Sequence, residues 1–251
     1  MKPLIAILTY SGANSALEWL RPWHCLPGCD LLYVGRSNSE CTYPRPPKGA
    51  GYRAFYHAFG NDSYVKGANQ AERLINLWEV AFGRYRDKYS SLCVTEWDSI
   101  FTGPLPALHP GGLFCKFGGQ SGPPFHGTRF LQVPWWSDWP TTDLMAEYGR
   151  RMLKTNLLES GWPDRWLGLL ADLYDIPVSH TNTFHCNTID NPNLVARARE
   201  SIPGCFMLHG IKTKETLDAV TEGYREKLLG QADQESLIAG GMVPLHGSPA
   251  S

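Results

Sequence analysis

Several signatures of common function classes are missing from this chain. No Gly-x-Gly-x-x-Gly follows the first strand-like run and no Gly-Lys-Ser or Gly-Lys-Thr loop occurs, which argues against a dinucleotide oxidoreductase or a P-loop enzyme. Nowhere are there about 18 consecutive apolar residues, the minimum for a membrane-spanning helix. The short apolar run after Lys2, Pro3 to Leu8, fits a first strand better than a signal peptide, so the expectation is a soluble, cytoplasmic protein without a membrane anchor. Net charge is also missing: 23 Lys+Arg face 24 Asp+Glu, and no global field recommends nucleic acid or an anionic membrane as partner. The seven cysteines are an odd number, and Cys93 and Cys115 lie in apolar runs, where a thiol packs as a small hydrophobe. His24-Cys25 with Cys29 has the look of a zinc half-site, but no second Cys or His pair at ligand spacing follows nearby, and it is discounted. There is no internal repeat, and no protein partner is indicated.

What is present is the alternation of an α/β protein. At 251 residues the chain is long enough for one large α/β domain or two small ones. The expected organisation is one domain over residues 1–240, with a Gly, Pro and Ser rich tail, 241–251, that is not ordered. Pro3 to Tyr10 reads as a strand buried on both faces, Ala13 to Trp23 as a short helix, and Asp30 to Val34 and Tyr52 to Phe59 as further strands. From Gly67 to Lys88 the residues Ala71, Leu74, Ile75, Trp78, Phe82 and Tyr85 recur at helical spacing. Gly112 to Phe117 reads as a strand and Gly118 to Pro140 as a long irregular stretch. Helices are expected over Thr141 to Glu159, Arg165 to Tyr174, Asn191 to Ser201 and Thr213 to Leu229, with a strand over Cys205 to His209. The right-handed crossover rule then predicts a mostly parallel central sheet flanked by helices.

Two stretches carry chemistry. In Tyr89 to Leu105 an apolar run, Leu92 to Val94, leads into Glu96-Trp97-Asp98. Strand alternation predicts Glu96 and Asp98 on one side and Trp97 in the core. Ligands of open α/β sheets bind beyond the carboxyl ends of the strands, and hard carboxylate oxygens there suit Mg²⁺ or Mn²⁺. The alternative is an exposed strand-end pair with no metal. The second stretch, Cys205 to Lys212, again runs apolar into a polar tip, His209-Gly210-Ile211-Lys212. His completes metal sites, Gly admits close approach of backbone to a phosphate, and Lys offers it a point charge.

An apolar strand running into acid-x-acid, followed later by His-Gly-x-Lys, resembles a nucleotide-sugar glycosyltransferase of the GT-A fold. In such enzymes the Asp-x-Asp motif and a C-terminal His hold a divalent ion on the nucleoside diphosphate. The resemblance is closest to the glycogenin-like and bacterial lipopolysaccharide galactosyltransferase group, whose C-terminal tract is His-x-x-Gly-x-x-Lys-Pro. Here Glu96 stands at the first acid, the tract is compressed to His209-Gly210-Ile211-Lys212, and no Pro follows. What the resemblance implies is a single GT-A-like α/β domain, with Mn²⁺ or Mg²⁺ held by Asp98, His209 and Glu96, and Lys212 on the donor diphosphate.

It further implies roles for residues elsewhere. Asp164, in Trp162-Pro163-Asp164-Arg165-Trp166-Leu167-Gly168, is similar to the acid at a helix start that serves inverting members as catalytic base; the alternative is a helix cap. Thr9 and Tyr10 end the first strand where the nucleobase and ribose bind, with Tyr10 stacking on the base or standing as an ordinary strand-end aromatic. Arg73, with Asn69, reaches the nucleotide sugar or lies on a solvated helix face. The stretch Phe125 to Trp139 offers Trp135, Trp136 and Trp139 with His126 and Arg129 as an acceptor surface, since aromatic faces stack on sugars and on bases; the alternative is a hydrophobic loop packed onto the helices. The expected activity is metal-dependent transfer of a sugar from a nucleotide sugar, a UDP-sugar by the His-Gly-x-Lys tract, to a hydroxyl. The acceptor is a glycan, a small molecule or a hydroxymethylated base in DNA. For DNA the phosphate contacts would come from Arg84, Arg86 and Lys88 or from Arg150, Arg151 and Lys154. The rival classes are a nucleotidyltransferase and a non-catalytic nucleotide-sugar or glycan binder.

Overall fold

The apolar run that opens the chain becomes the strand β1 (Leu4–Leu8), whose Leu4 to Ile7 are completely buried, as a strand covered on both faces requires. The computed structural model describes residues 1–9, 13–36, 42–44, 51–59, 68–103, 111–120, 129–155, 163–180, 184–186, 192–229 and 242–244. After β1 come α1 (Asn14–Cys25), β2 (Asp30–Arg36), β3 (Thr42–Pro44), β4 (Ala54–Phe59), α2 (Ala68–Tyr85), β5 (Leu92–Glu96) and β6 (Ser99–Phe101). The second half holds β7 (Leu113–Gln120), β8 (Arg129–Ser137), α3 (Trp139–Leu153), α4 (Pro163–Leu173), β9 (Val178–His180), β10 (Phe184–Cys186), α5 (Pro192–Ser201), β11 (Met207–His209), α6 (Lys214–Thr221), α7 (Arg225–Leu229) and β12 (Met242–Pro244).

The main sheet has seven strands in the order β4-β2-β1-β5-β8-β7-β9 and is mostly parallel, as the alternation of elements predicts. The pairs β2–β4 and β7–β9 are parallel, while β8 runs antiparallel to both β5 and β7. Leu4 N–H donates to the Ser91 carbonyl and Trp97 N–H to the Leu8 carbonyl, so β1 and β5 advance together. Three short strands form a second sheet, β10-β11-β6, and β12 pairs with β3. No helix among the described residues is long and apolar enough to cross a membrane.

Two compact units share the chain: Met1–Leu4 with Asn61–Val94 and Ala107–Thr181, and Ile5–Gly60 with Thr95–Pro106 and Asn182–Ser251. In the first, the apolar stripe of α2 buries Ala71, Leu74, Ile75 and Trp78 completely, and Trp78 meets Trp166 of α4 edge to face at 5.8 Å. Asp138 caps α3 by accepting from the Thr141 N–H at 2.9 Å. In the second, Leu20 and Trp23 of α1 share a core with Ile100 of β6, Leu208 of β11, Ile211, and Leu217 and Val220 of α6. Each such side chain contributes roughly 1.5–3 kcal/mol of burial, enough to hold strands as short as β6 and β11.

The structure departs from the sequence-based expectation at several places, among them Met242–Pro244, which pairs with β3 as a strand rather than lying in an unordered tail. The stretch 118–140 is not irregular throughout: it contains the end of β7, all of β8 and the start of α3, because aromatic and β-branched residues at Phe130 to Trp136 satisfy a strand. The last helix is two, α6 and α7, separated at Gly223 with φ +78°.

Gly168 explains its own place in α4. A Cβ there would stand 1.7 Å from the Arg129 carbonyl oxygen, so the helix lies against the backbone of β8 only because this residue has no side chain. Gly168→Ala is expected to lower unfolding stability by about 3 kcal/mol or more, read as a fall in the urea midpoint, because backbone rather than a pliable side chain must move.

Candidate metal centre

The buried residues Leu92, Cys93 and Val94 bring β5 to Glu96, and the chain then turns through Trp97 and Asp98 before entering β6. The two acids therefore flank a turn rather than alternating along one strand. Trp97 is half-buried against the core of its unit, and Asp98 is buried. The turn is tied on several sides. Trp97 N–H donates to the Leu8 carbonyl at 2.9 Å, and the Asp98 carbonyl accepts from Gly210 N–H at 3.1 Å and Ile211 N–H at 2.8 Å. The Thr95 and Ser99 hydroxyls share a hydrogen bond of 2.7 Å beneath it. β6 pairs antiparallel with β11 in a register that sets His209 opposite Ser99, which is what carries the histidine to the acids. Gly210 then turns with φ +94°, a conformation that a residue with a Cβ adopts only at a cost.

The result is a convergent cluster. His209 Nε2 lies 2.9 Å from Glu96 Oε2 and 3.1 Å from Asp98 Oδ1, and the ligand atoms of all three residues fall within 4.8 Å of one another. Side-chain exposure rises from 5% at Asp98 through 18% at His209 to 38% at Glu96, so the cluster opens to solvent on the Glu96 side. A single imidazole N–H cannot serve both carboxylates well, and the buried Asp98 Oδ1 accepts no directed hydrogen bond. An underserved buried carboxylate oxygen costs about 1–3 kcal/mol, which a cation at the cluster would offset. Two hard oxygen donors with one imidazole suit Mn²⁺ or Mg²⁺, ions that keep some of their water. Burial alone would raise the Asp98 pKa, yet the adjacent His209 imidazole and then the Lys212 charge outweigh it and hold the carboxyl below the ordinary range. Lys212 itself is exposed, two residues beyond the Gly210 turn.

His24 also lies near this turn, although its spacing to Cys25 and Cys29 in the sequence suggests only a zinc half-site. The Cys25 and Cys29 thiols are buried and not disulfide-bonded, while His24 is completely buried and faces the carbonyls of Trp97 and Ser99. Its signal in the sequence was weak: a lone His on the apolar face of α1.

Of the other expected residues, Thr9 is buried at the carboxyl end of β1, its N–H donating to the Val34 carbonyl, and belongs to the same unit as the cluster. Tyr10 and His126 lie outside the described residues. Arg73, half-buried on α2, and Asp164, half-buried in the first turn of α4, belong to the other unit, as does the backbone of Asn69. The reading of Trp135 and Trp136 as an exposed acceptor surface is corrected: both are strand residues of β8, 1% and 2% exposed. Trp135 Nε1 donates to the Leu131 carbonyl and Trp136 Nε1 to the Ser91 hydroxyl, each at 2.9 Å, so rings and polar edges are spent inside the unit. Trp139 likewise donates to the Tyr89 carbonyl. Arg129 is engaged by Asp172 of α4 at 2.6 Å rather than presented to an acceptor.

No protein-family model matches the chain, and a search of curated proteins returns no match. The functional reading therefore rests on the chemistry of the cluster.

Burial lowers the His24 pKa from 6.5 to about 4, against the opposing pull of the Ser99 and Trp97 carbonyls. The unfolded chain takes up this proton before the folded one does. The associated stability is thus complete above about pH 6.5 and lost as the pH falls through 4, amounting to about 3 kcal/mol. Urea midpoints measured between pH 7 and 4 are expected to fall more steeply for the wild type than for His24→Gln, which has no proton to gain.

Proposed function

We propose that this protein is a metal-dependent glycosyltransferase, moving a sugar from a nucleotide sugar, a UDP-sugar before others, to an acceptor hydroxyl. The observation that carries the reading is the convergence of Glu96, Asp98 and His209 at the carboxyl end of β5, with Gly210 and Lys212 beside it. The position supports it as well. In the sheet order β2-β1-β5 the chain leaves β1 toward one side and resumes at β5 on the other, and the crevice beyond such a reversal is where open α/β sheets take nucleotides.

A bound divalent ion supplies positive charge against the departing diphosphate. His209, as a nitrogen donor, favours Mn²⁺ over Mg²⁺ in that place. Lys212 adds a mobile positive charge near the phosphates, and Gly210 admits them close to the backbone. The transition state carries oxocarbenium character at the anomeric carbon, and an acceptor hydroxyl must lose a proton as it attacks.

With Trp135 and Trp136 in the core, the acceptor is met by other residues. A glycan or small molecule is favoured over modified DNA, because Arg150 is paired with Glu79 and Arg151 with Glu147, while Arg86 lies over the Phe82 ring and Lys88 over the Tyr85 ring. The buried cysteines Cys25, Cys29, Cys93, Cys115 and Cys205, none in a disulfide, support a reducing, cytoplasmic setting.

Thermal melting with nucleoside diphosphates, with and without Mn²⁺, tests the donor assignment. UDP with Mn²⁺ at a hundredfold excess over its Kd is expected to raise the Tm by about 5–10 °C, and either alone by much less. Asp98→Ala should fold, lose this shift and lose donor turnover; unchanged turnover would falsify the metal assignment. Release of free UDP from the donor identifies transfer. Pyrophosphate release would instead indicate a nucleotidyltransferase, and saturable binding without donor turnover a binding protein.

A further inference from the structure

The turn that carries Asp98 leans on a side chain that has no access to substrate. His24, on α1, is completely buried. Its Nε2 lies 3.1 Å from the Trp97 carbonyl oxygen and 2.9 Å from that of Ser99, and its Nδ1 lies 3.2 Å from the Tyr33 hydroxyl on β2. Carbonyls only accept, so Nε2 must carry the proton, and Nδ1 then accepts from Tyr33. One tautomer of a neutral ring satisfies all three contacts.

The two carbonyls belong to the residues immediately before and after Asp98. Its own carbonyl is taken by the N–H groups of Gly210 and Ile211, next to His209. The peptide units around Asp98 are therefore suspended between α1 and the segment that bears the third ligand. All of these residues lie in one unit of the chain. Removing the His24 proton donor would leave two carbonyls without it and release the turn on one side only, so that the Glu96 and Asp98 oxygens would drift relative to His209.

We propose that His24 is a positioning residue for the divalent-ion site, setting the Glu96–Asp98 turn at the separation from His209 that the ion requires, with Tyr33 fixing the tautomer in which it does so. The inference rests on the ion-site reading above. It extends that site inward by two residues that touch neither ion nor substrate, and it assigns to a neutral, buried histidine a role that its burial alone does not explain: a phenylalanine would fill the same space.

Mn²⁺ titration of the full chain, followed by the electron paramagnetic resonance signal of the unbound aquo ion, tests this without reference to turnover. Far-UV circular dichroism reports that each variant is folded. His24→Phe keeps the bulk and loses the donor, and is expected to weaken Mn²⁺ binding about 10- to 100-fold. His24→Gln places an amide N–H where Nε2 stood and is expected to stay within about threefold of the wild type, with Tyr33→Phe intermediate. Should His24→Phe not fold, His24→Asn replaces it, since its shorter amide does not reach the two carbonyls, and the same loss is expected. Wild-type affinity in the Phe or Asn variant overturns the role of His24, and so does an equal loss in His24→Gln, which would mean that packing alone matters. If the wild type shows no Mn²⁺ binding that depends on Asp98, the ion-site reading fails and this inference fails with it.

Discussion

The local structure around the acids depends on one backbone arrangement: the Asp98 carbonyl held by the N–H groups of Gly210 and Ile211, at the end of the antiparallel ladder between β6 and β11. These bonds join segments more than a hundred residues apart in sequence, a closure whose entropy must be met by burial elsewhere. It is met by the core beneath, where Ile100, Leu208 and Ile211 pack with Leu20 and Trp23 of α1. The same helix that supplies this burial supplies His24, so packing and the geometry of the turn share a source.

Electrostatics then give the cluster its chemical character. A carboxylate as buried as Asp98 would, on desolvation alone, prefer its proton, and His209, then Lys212 and its own backbone N–H, hold its pKa below the ordinary range instead. Glu96 is more exposed and closes the cluster on the solvent side. A site with one buried acid and, at its rim, a half-buried imidazole and a half-buried acid has an interior that is preorganised and a rim that can exchange water. That combination suits a labile divalent ion met by a substrate carrying its own oxygen ligands.

Periodicity was a good guide wherever burial was uniform along an element. The stripe of α2, the continuous run of β1 and the passage from Leu92 to Glu96 were all legible, because each buries the residues that its own spacing puts on one face or on both. It failed where tertiary contacts reversed a local preference. Gly, Pro and clustered Trp between 118 and 140 read as an irregular binding stretch, yet β5 and β7 on either side turn part of it into a central strand and draw Trp135 and Trp136 inside. Trp97 does pack against the core as alternation predicts, although the chain turns at Trp97 and Asp98 instead of continuing as a strand.

The identities of the three convergent side chains, the apolar runs that deliver them and the α/β class were determined by the sequence alone, since they follow from residue type and local spacing. That Glu96, Asp98 and His209 share one site followed from resemblance and not from local spacing, whereas the register that joins them, the place of His24 under their turn and the burial of Trp135 and Trp136 were decided only by the tertiary structure. The reason is physical: each of these depends on a register between distant segments, β6 against β11 and α1 against the 97–99 turn, and local periodicity carries no information about which distant strand or helix supplies the partner.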